Sequence, residues 1–108
     1  MERRKHNRAD IKAFADVFDK DNKLVSRAEV CNVSLDGTAI LTPNPLEIGS
    51  EVMFNILQRE SKKIRILIEN LAGKVIRIEQ QGSLWLHAVI FKEVEKKNIT
   101  ILDDISKS

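Results

Sequence analysis

The chain has 108 residues, 43% of them hydrophobic and 31% charged, which is enough for one compact core, too few for two ordinary domains and too apolar for a disordered chain. A net charge of only +2, no tyrosine and a single tryptophan argue against a protein that tracks a long nucleic-acid strand by backbone charge and base stacking. The lone cysteine, Cys31, cannot form an internal disulfide, no apolar run is long enough to span a membrane, and no signal-peptide core follows the charged N-terminus, so a cytoplasmic protein without membrane insertion is expected.

What charge there is lies at one end. Residues 1–12 hold Arg3, Arg4, Lys5, Arg8 and Lys12 against Glu2 and Asp10, a local surplus of +3 that exceeds the charge of the whole chain. Guanidiniums are well shaped to grip phosphate oxygens or a guanine edge bidentately, so a small anionic partner at this end fits better than a long polyanion.

Downstream the periodicity is that of strands. Ile11 to Phe18 places Ile11, Ala13, Ala15 and Val17 on one face, with Phe14 and Phe18 on the other, as in a strand partly buried on both sides. Lys20-Asp21-Asn22-Lys23 is a hairpin-type break that lacks glycine. A second strand runs from Leu24 to about Asn32, and Asn32-Val33-Ser34-Leu35-Asp36-Gly37 then concentrates turn chemistry: Asn and Ser bond nearby backbone, and glycine tolerates positive φ.

Thr38 to Thr42 forms a third strand, stopped by Pro43 and Pro45, which exclude a central strand at that point. Glu51 to Leu57 alternates cleanly through Val52, Phe54 and Ile56, a fourth strand, followed by a charged loop at Gln58–Lys62. From Lys63 to Glu79 the pattern predicts one long bent strand with a bulge near Gly73, or two strands in succession. After the turn at Gln80–Ser83, Leu84 to Phe91 is nearly all apolar, as in a strand buried on both faces. Val94, Ile101, Leu102 and Ile105 take helical spacing, so a short amphipathic helix is expected within Glu93–Ile105. Six strands with regular turns and a closing helix indicate an all-β fold: a small six-stranded antiparallel β-barrel with a short C-terminal helix and a flexible basic N-terminal segment.

No catalytic constellation is visible. His6 and His87 are far apart, Ser34 has no nearby histidine or G-x-S-x-G elbow, and neither a metal-ligand cluster nor a glycine-rich phosphate loop is present. No enzyme, metal or cofactor is expected, and His87, alone in the last strand, reads as a structural residue.

The two polar clusters have meaning together. Arg4-x-x-x-Arg8, preceded by Arg3, and Asn32-x-Ser34-x-x-Gly37 some two dozen residues later resemble the paired signature of the PilZ domain family: an R-x-x-x-R segment ahead of a six-stranded barrel and a [D/N]-x-S-x-x-G turn on it. The resemblance extends over essentially the whole chain. It implies residues 1–10 as a mobile, ligand-clamping segment and 11–105 as the barrel with its helix. It also implies binding of cyclic di-GMP, a bacterial second messenger, through Arg3, Arg4, Arg8, Asn32, Ser34 and Gly37.

In that reading Arg4 and Arg8 pair with a phosphate or with guanine O6 and N7, Asn32 offers a donor and an acceptor to a guanine edge, Ser34 adds a hydroxyl, and Gly37 permits the tight turn. Arg3 supplies an extra cation, useful if two stacked ligand molecules share the site. Two departures stand out. Ala88 occupies the place where the family often has a glycine in a G-V-x-F pattern, and Asp10 puts a negative charge beside the arginines. With no other module attached, a downstream protein partner would receive the signal. The rival readings are a PilZ-like interaction module that binds no nucleotide and, with less support, a small-barrel nucleic-acid binder.

Overall fold

The computed structural model describes residues 13–106. Six antiparallel strands, β1 (Ala13–Phe18), β2 (Leu24–Val33), β3 (Gly37–Thr42), β4 (Glu51–Glu60), β5 (Lys63–Gln81) and β6 (Leu84–Phe91), precede one helix, α1 (Lys96–Ser106). The strands close into a barrel in the order β1-β2-β3-β6-β5-β4, with β4 returning to β1. The expected six-stranded antiparallel barrel and its closing helix are therefore observed, while the expected N-terminal segment, residues 1–10, lies outside the described residues.

Turn chemistry sets the ends of the strands. The glycine-free β1–β2 hairpin works because the Asp19 carboxylate accepts hydrogen bonds from the Asp21 and Lys23 N–H groups at 2.9 and 3.0 Å, while Asn22 takes the left-handed conformation at φ 65°. β4 runs three residues beyond the expected Leu57, because Gln58, Arg59 and Glu60 pair with Arg65, Ile64 and Lys63 and leave only Ser61 and Lys62 as the turn. The predicted charged loop is thus mostly a hairpin.

β5 is one strand of 19 residues, as the first of the two alternatives had it. Its irregularities fall on either side of Gly73. One lies at Asn70, which adopts φ 60° with its N–H donating to the Asn55 side-chain oxygen at 3.0 Å. Another lies at Ile76, the residue left unpaired between the Val75–Val89 and Arg77–Ala88 pairs. Gly73 itself pairs normally with Val52 and Phe91 and serves close packing: a β-carbon there would stand 2.6 Å from Val89 Cγ1. β6 also differs from expectation, since Ile90 is exposed and only His87, Val89 and Phe91 are buried.

The core is the barrel interior. Ala15, Val17, Ile40, Phe54, Ile56, Ile68, Leu71, Val75 and Val89 are buried, and Phe54 meets Phe91 at 6.1 Å between ring centroids with a 44° tilt. The helix begins three residues later than the expected Glu93, yet it uses the expected face: Leu102 is fully buried in the same cluster, with Val94, Ile101 and Ile105 against it. α1 thus covers the barrel end at which β6 finishes. No helix among the described residues is long and apolar enough to cross a membrane.

His87 ties down the opposite end. Its buried ring accepts the Leu46 N–H at Nε2 (2.9 Å) and donates from Nδ1 to the Trp85 carbonyl at 3.1 Å, which anchors the Pro43–Ser50 connection and requires a neutral imidazole. Burial holds the ring's pKa below its ordinary value, against weaker opposing contributions from the Trp85 and Ile40 backbone.

Two outcomes follow from the packing. Leu102→Ala should cost about 2–5 kcal/mol in denaturant unfolding, because it empties a sealed site. The unfolded chain takes up a proton on His87 near pH 6.5 while the folded chain does so only at lower pH, so the His87 contribution is complete above about pH 6.5 and is lost as pH falls below it. Unfolding free energies measured from pH 7.5 to 5.5 should show this loss in the wild type and a flatter profile in His87→Gln.

Candidate functional site

The Asn32–Gly37 turn joins β2 to β3 at the barrel end that α1 covers, and the order of the strands explains what lies around it. β1 runs antiparallel to β2 with Phe14 opposite Glu29, so Ala13, where the described chain begins, stands beside the last residues of β2. Asn32 lies three residues beyond Glu29, about 10 Å along the strand. Arg3, Arg4 and Arg8 lie outside the described residues. Arg8 is joined to Ala13 through five residue steps, which span at most about 17 Å.

Within the turn the three motif residues have different tasks. A bulge at Cys31 leaves Asn32 opposite Ala39 and Val33 opposite Thr38, so Cys31 and Asn32 are both exposed while Val33 turns toward the core. The Asn32 carbonyl accepts a 2.6 Å hydrogen bond from the buried Thr38 hydroxyl, whereas its side-chain amide has no partner among the described residues. The backbone of Asn32 is thus fixed by Thr38.

Ser34 organises the loop. Its hydroxyl oxygen accepts from the Asp36 and Gly37 N–H groups at 3.2 and 3.3 Å, and its own N–H donates to the Gly37 carbonyl at 2.8 Å. The hydroxyl proton is engaged only by a long 3.3 Å contact to the Gly37 carbonyl, so it can turn to an arriving acceptor.

Gly37 is required for a reason other than the one expected. Its φ is not positive. Instead the backbone of β3 passes so close to β6 that a β-carbon on residue 37 would overlap the Val89 carbonyl oxygen and come within 3.2 Å of Ile90 Cα. The Phe91 N–H donates to the Asp36 carbonyl at 2.8 Å beside it, fastening the turn to the end of β6. Glycine therefore supplies proximity between strands, not turn geometry.

The outer surface beside the turn is a row that crosses four strands. Asn32 pairs with Ala39, Ala39 with Ala88, and Ala88 with Arg77. Residues paired across antiparallel strands share a face, and the buried neighbours Ile40, His87 and Val89 assign that face to solvent. The Ala88 departure thus lies in the floor of this row, not in the core. Thr38 and Ala39 carry no local signal that could have marked them; only the register brings them to Asn32.

Other chemistry is weak here. The Cys31 thiol pKa is pushed up, first by partial burial and then by Glu29, which keeps it protonated and a poor nucleophile. Among the described residues no group of three or more His, Cys, Asp or Glu side chains could hold a metal ion. A cleft of about 870 Å³ between β5 and the segment entering α1 is lined by Glu69, Glu93 and Glu95, with Lys97 as its one basic residue, so it disfavours anions.

The family model of the PilZ domain matches residues 2–107, essentially the full chain. Comparison with curated proteins gives no match.

Crowding at Gly37 makes a direct test. Gly37→Ala should lower unfolding stability by about 1–3 kcal/mol, because the methyl group must push β3 away from the Val89 carbonyl. An unchanged melting temperature would contradict the close approach.

Proposed function

The chain belongs to the PilZ domain family, and on that premise we propose that it is a cytoplasmic receptor for cyclic di-GMP that signals by rearrangement of its N-terminal segment. PilZ domains are binding modules for this nucleotide, not enzymes. The observation that carries the reading for this chain is that Ala13, the first described residue, stands beside the end of β2, and the motif arginines precede it in sequence by five to ten residues. The open Asn32 amide and the Ser34 hydroxyl stand at the strand end beside which the Arg3-Arg4-x-x-x-Arg8 segment is attached.

Each half supplies what the other lacks. Among the described residues the turn offers directed hydrogen bonds but no cation of its own, since residues 32–37 contain only Asp36 as a charged group. The N-terminal segment offers guanidiniums, whose planar fork matches phosphate and the O6/N7 edge of guanine. A ligand with two phosphates and two guanines can engage both at once. Binding then fixes the segment against the turn, and the altered surface passes to a protein partner. Gly37 acts within this scheme by keeping the turn tight against β6, and it contacts the ligand only through its backbone.

The experiment is isothermal titration with cyclic di-GMP. The wild type should bind. Arg4→Ala, Arg8→Ala and Asn32→Ala should each weaken binding by about 1.5–3 kcal/mol, roughly 10- to 100-fold, with melting temperatures unchanged. Arg3→Ala should also reduce the number of ligand molecules bound per chain if two share the site. No binding by the wild type at tens of micromolar ligand would leave the interaction-module reading, in which the same arginines serve a protein.

A further inference from the structure

The cleft between β5 and the segment entering α1 has no role in the site as built so far, and the unequal lengths of two strands explain why it exists. β6 ends at Phe91 opposite Gly73, and the Lys92 N–H donates to the Ala72 carbonyl at 2.9 Å before the chain leaves the sheet through Glu93. β5 is longer. Among the described residues its first part, residues 63–71, pairs with β4 on one side and with no strand on the other. The cleft of about 870 Å³ lies on that open side, with residues 66–71 as one wall and residues from 93 to 101 as the other. An open strand edge is a template for one more extended segment.

The cleft's own side chains specify what such a segment carries. Its rim holds Glu69, Glu93 and Glu95 against Lys97, and Lys97 already pairs with Glu95 at 3.8 Å. Glu69 and Glu93 are exposed, and among the described residues neither makes a hydrogen bond or ion pair. Asn98 lines the same cleft but is only 5% exposed. Its backbone N–H donates to the Glu95 carbonyl at 2.9 Å, whereas its side-chain amide has no partner among the described residues. Buried side-chain amides are nearly always hydrogen-bonded, so this one marks the place of a polar group supplied from elsewhere. Two free carboxylates and an amide oxygen together suit a guanidinium.

The first twelve residues of the same chain meet that description. They carry a charge surplus of +3, three arginines among them. They are also attached nearby: Phe14 lies opposite Leu57, and Leu57 opposite Ile66, so the described chain begins two strand spacings, about 10 Å, from the cleft wall. The five residue steps from Ala13 back to Arg8 span up to about 17 Å, enough to reach the open edge of β5 one spacing further on. A tether this short gives an effective concentration of roughly millimolar, at which even weak ion pairs hold a segment in place.

We infer that the cleft is a docking site for residues 1–12, which extend along the open edge of β5 with their guanidiniums between Glu69, Glu93 and the Asn98 side-chain oxygen. The arginines wanted at the Asn32–Gly37 turn cannot lie in the cleft at the same time. Docking therefore competes with cyclic di-GMP for the segment and weakens the apparent affinity for the ligand. The competition rests on the receptor reading above; the docking does not.

A nitroxide on Asn7→Cys, in a full-length chain whose Cys31 is replaced by serine to leave one thiol, reads the segment's position by NMR. Without ligand it should broaden the amide signals of Leu67, Glu69, Leu71 and Asn98 more than those of Ser34 and Asp36, and cyclic di-GMP should reverse that order. Glu69→Gln combined with Glu93→Gln removes two exposed, unpaired charges, so the variant should melt near the wild-type temperature. It should lose the preference for the cleft and bind cyclic di-GMP roughly 3- to 10-fold more tightly. Equal broadening of cleft and turn without ligand, or a preference that survives the double substitution, would overturn the docking. Broadening passed between chains, in a mixture of spin-labelled and isotope-labelled protein, would assign the cleft to a second copy and overturn the contact within one chain. An unchanged affinity in the double variant would overturn the competition. Failure of the wild type to bind the nucleotide would overturn the receptor reading and the competition with it, while the nitroxide still tests the docking.

Discussion

A six-residue strand closes this barrel. β1 pairs along its whole length with β4 and along most of it with β2, and without it the sheet would present two unpaired edges. Its position has a second effect. Because β1 runs antiparallel to β2, the chain that precedes Ala13 must emerge at the end where β2 turns into β3. The same pairing that removes the edges therefore sets the start of the described chain, to which the basic residues are joined, at the end that carries the β2–β3 turn.

Around that constraint the molecule separates rigid support from exposed chemistry. Thr38 holds the Asn32 carbonyl, Ser34 holds the loop, Phe91 holds the Asp36 carbonyl, and Gly37 lets β3 press against β6. None of these contacts needs a ligand. What remains open among the described residues is the Asn32 amide and the Ser34 hydroxyl proton. Support of this kind needs no partner to complete it, which keeps the ordering cost of any contact made at this turn low.

The fold was largely readable from residue order, and the errors have local physical causes. Val52, Phe54 and Ile56 alternate as a half-buried strand must, and Leu102 and Ile105 keep helical spacing, so those elements were legible. The Gln58–Lys62 loop was misjudged because charge alone does not separate an exposed strand end from a loop; cross-strand partners do. Gly73 and Gly37 were both assigned to backbone conformation, since a sequence cannot show that another strand runs within a van der Waals radius. The motif half of the site was visible as a resemblance. The Thr38 contact that holds the Asn32 carbonyl is not visible in this way, because it exists only through the pairing of β2 with β3.

Amide chemical shifts recorded by NMR while cyclic di-GMP is added test most directly the claim that one barrel end and its adjoining face are the reader. The account predicts large changes at Asn32, Ser34, Gly37 and Ala39, with little change at Asp21, Asn22, Leu46 and Gly82 on the opposite end. Changes centred on that opposite end, or on the acidic cleft at Glu69 and Glu95, would contradict it.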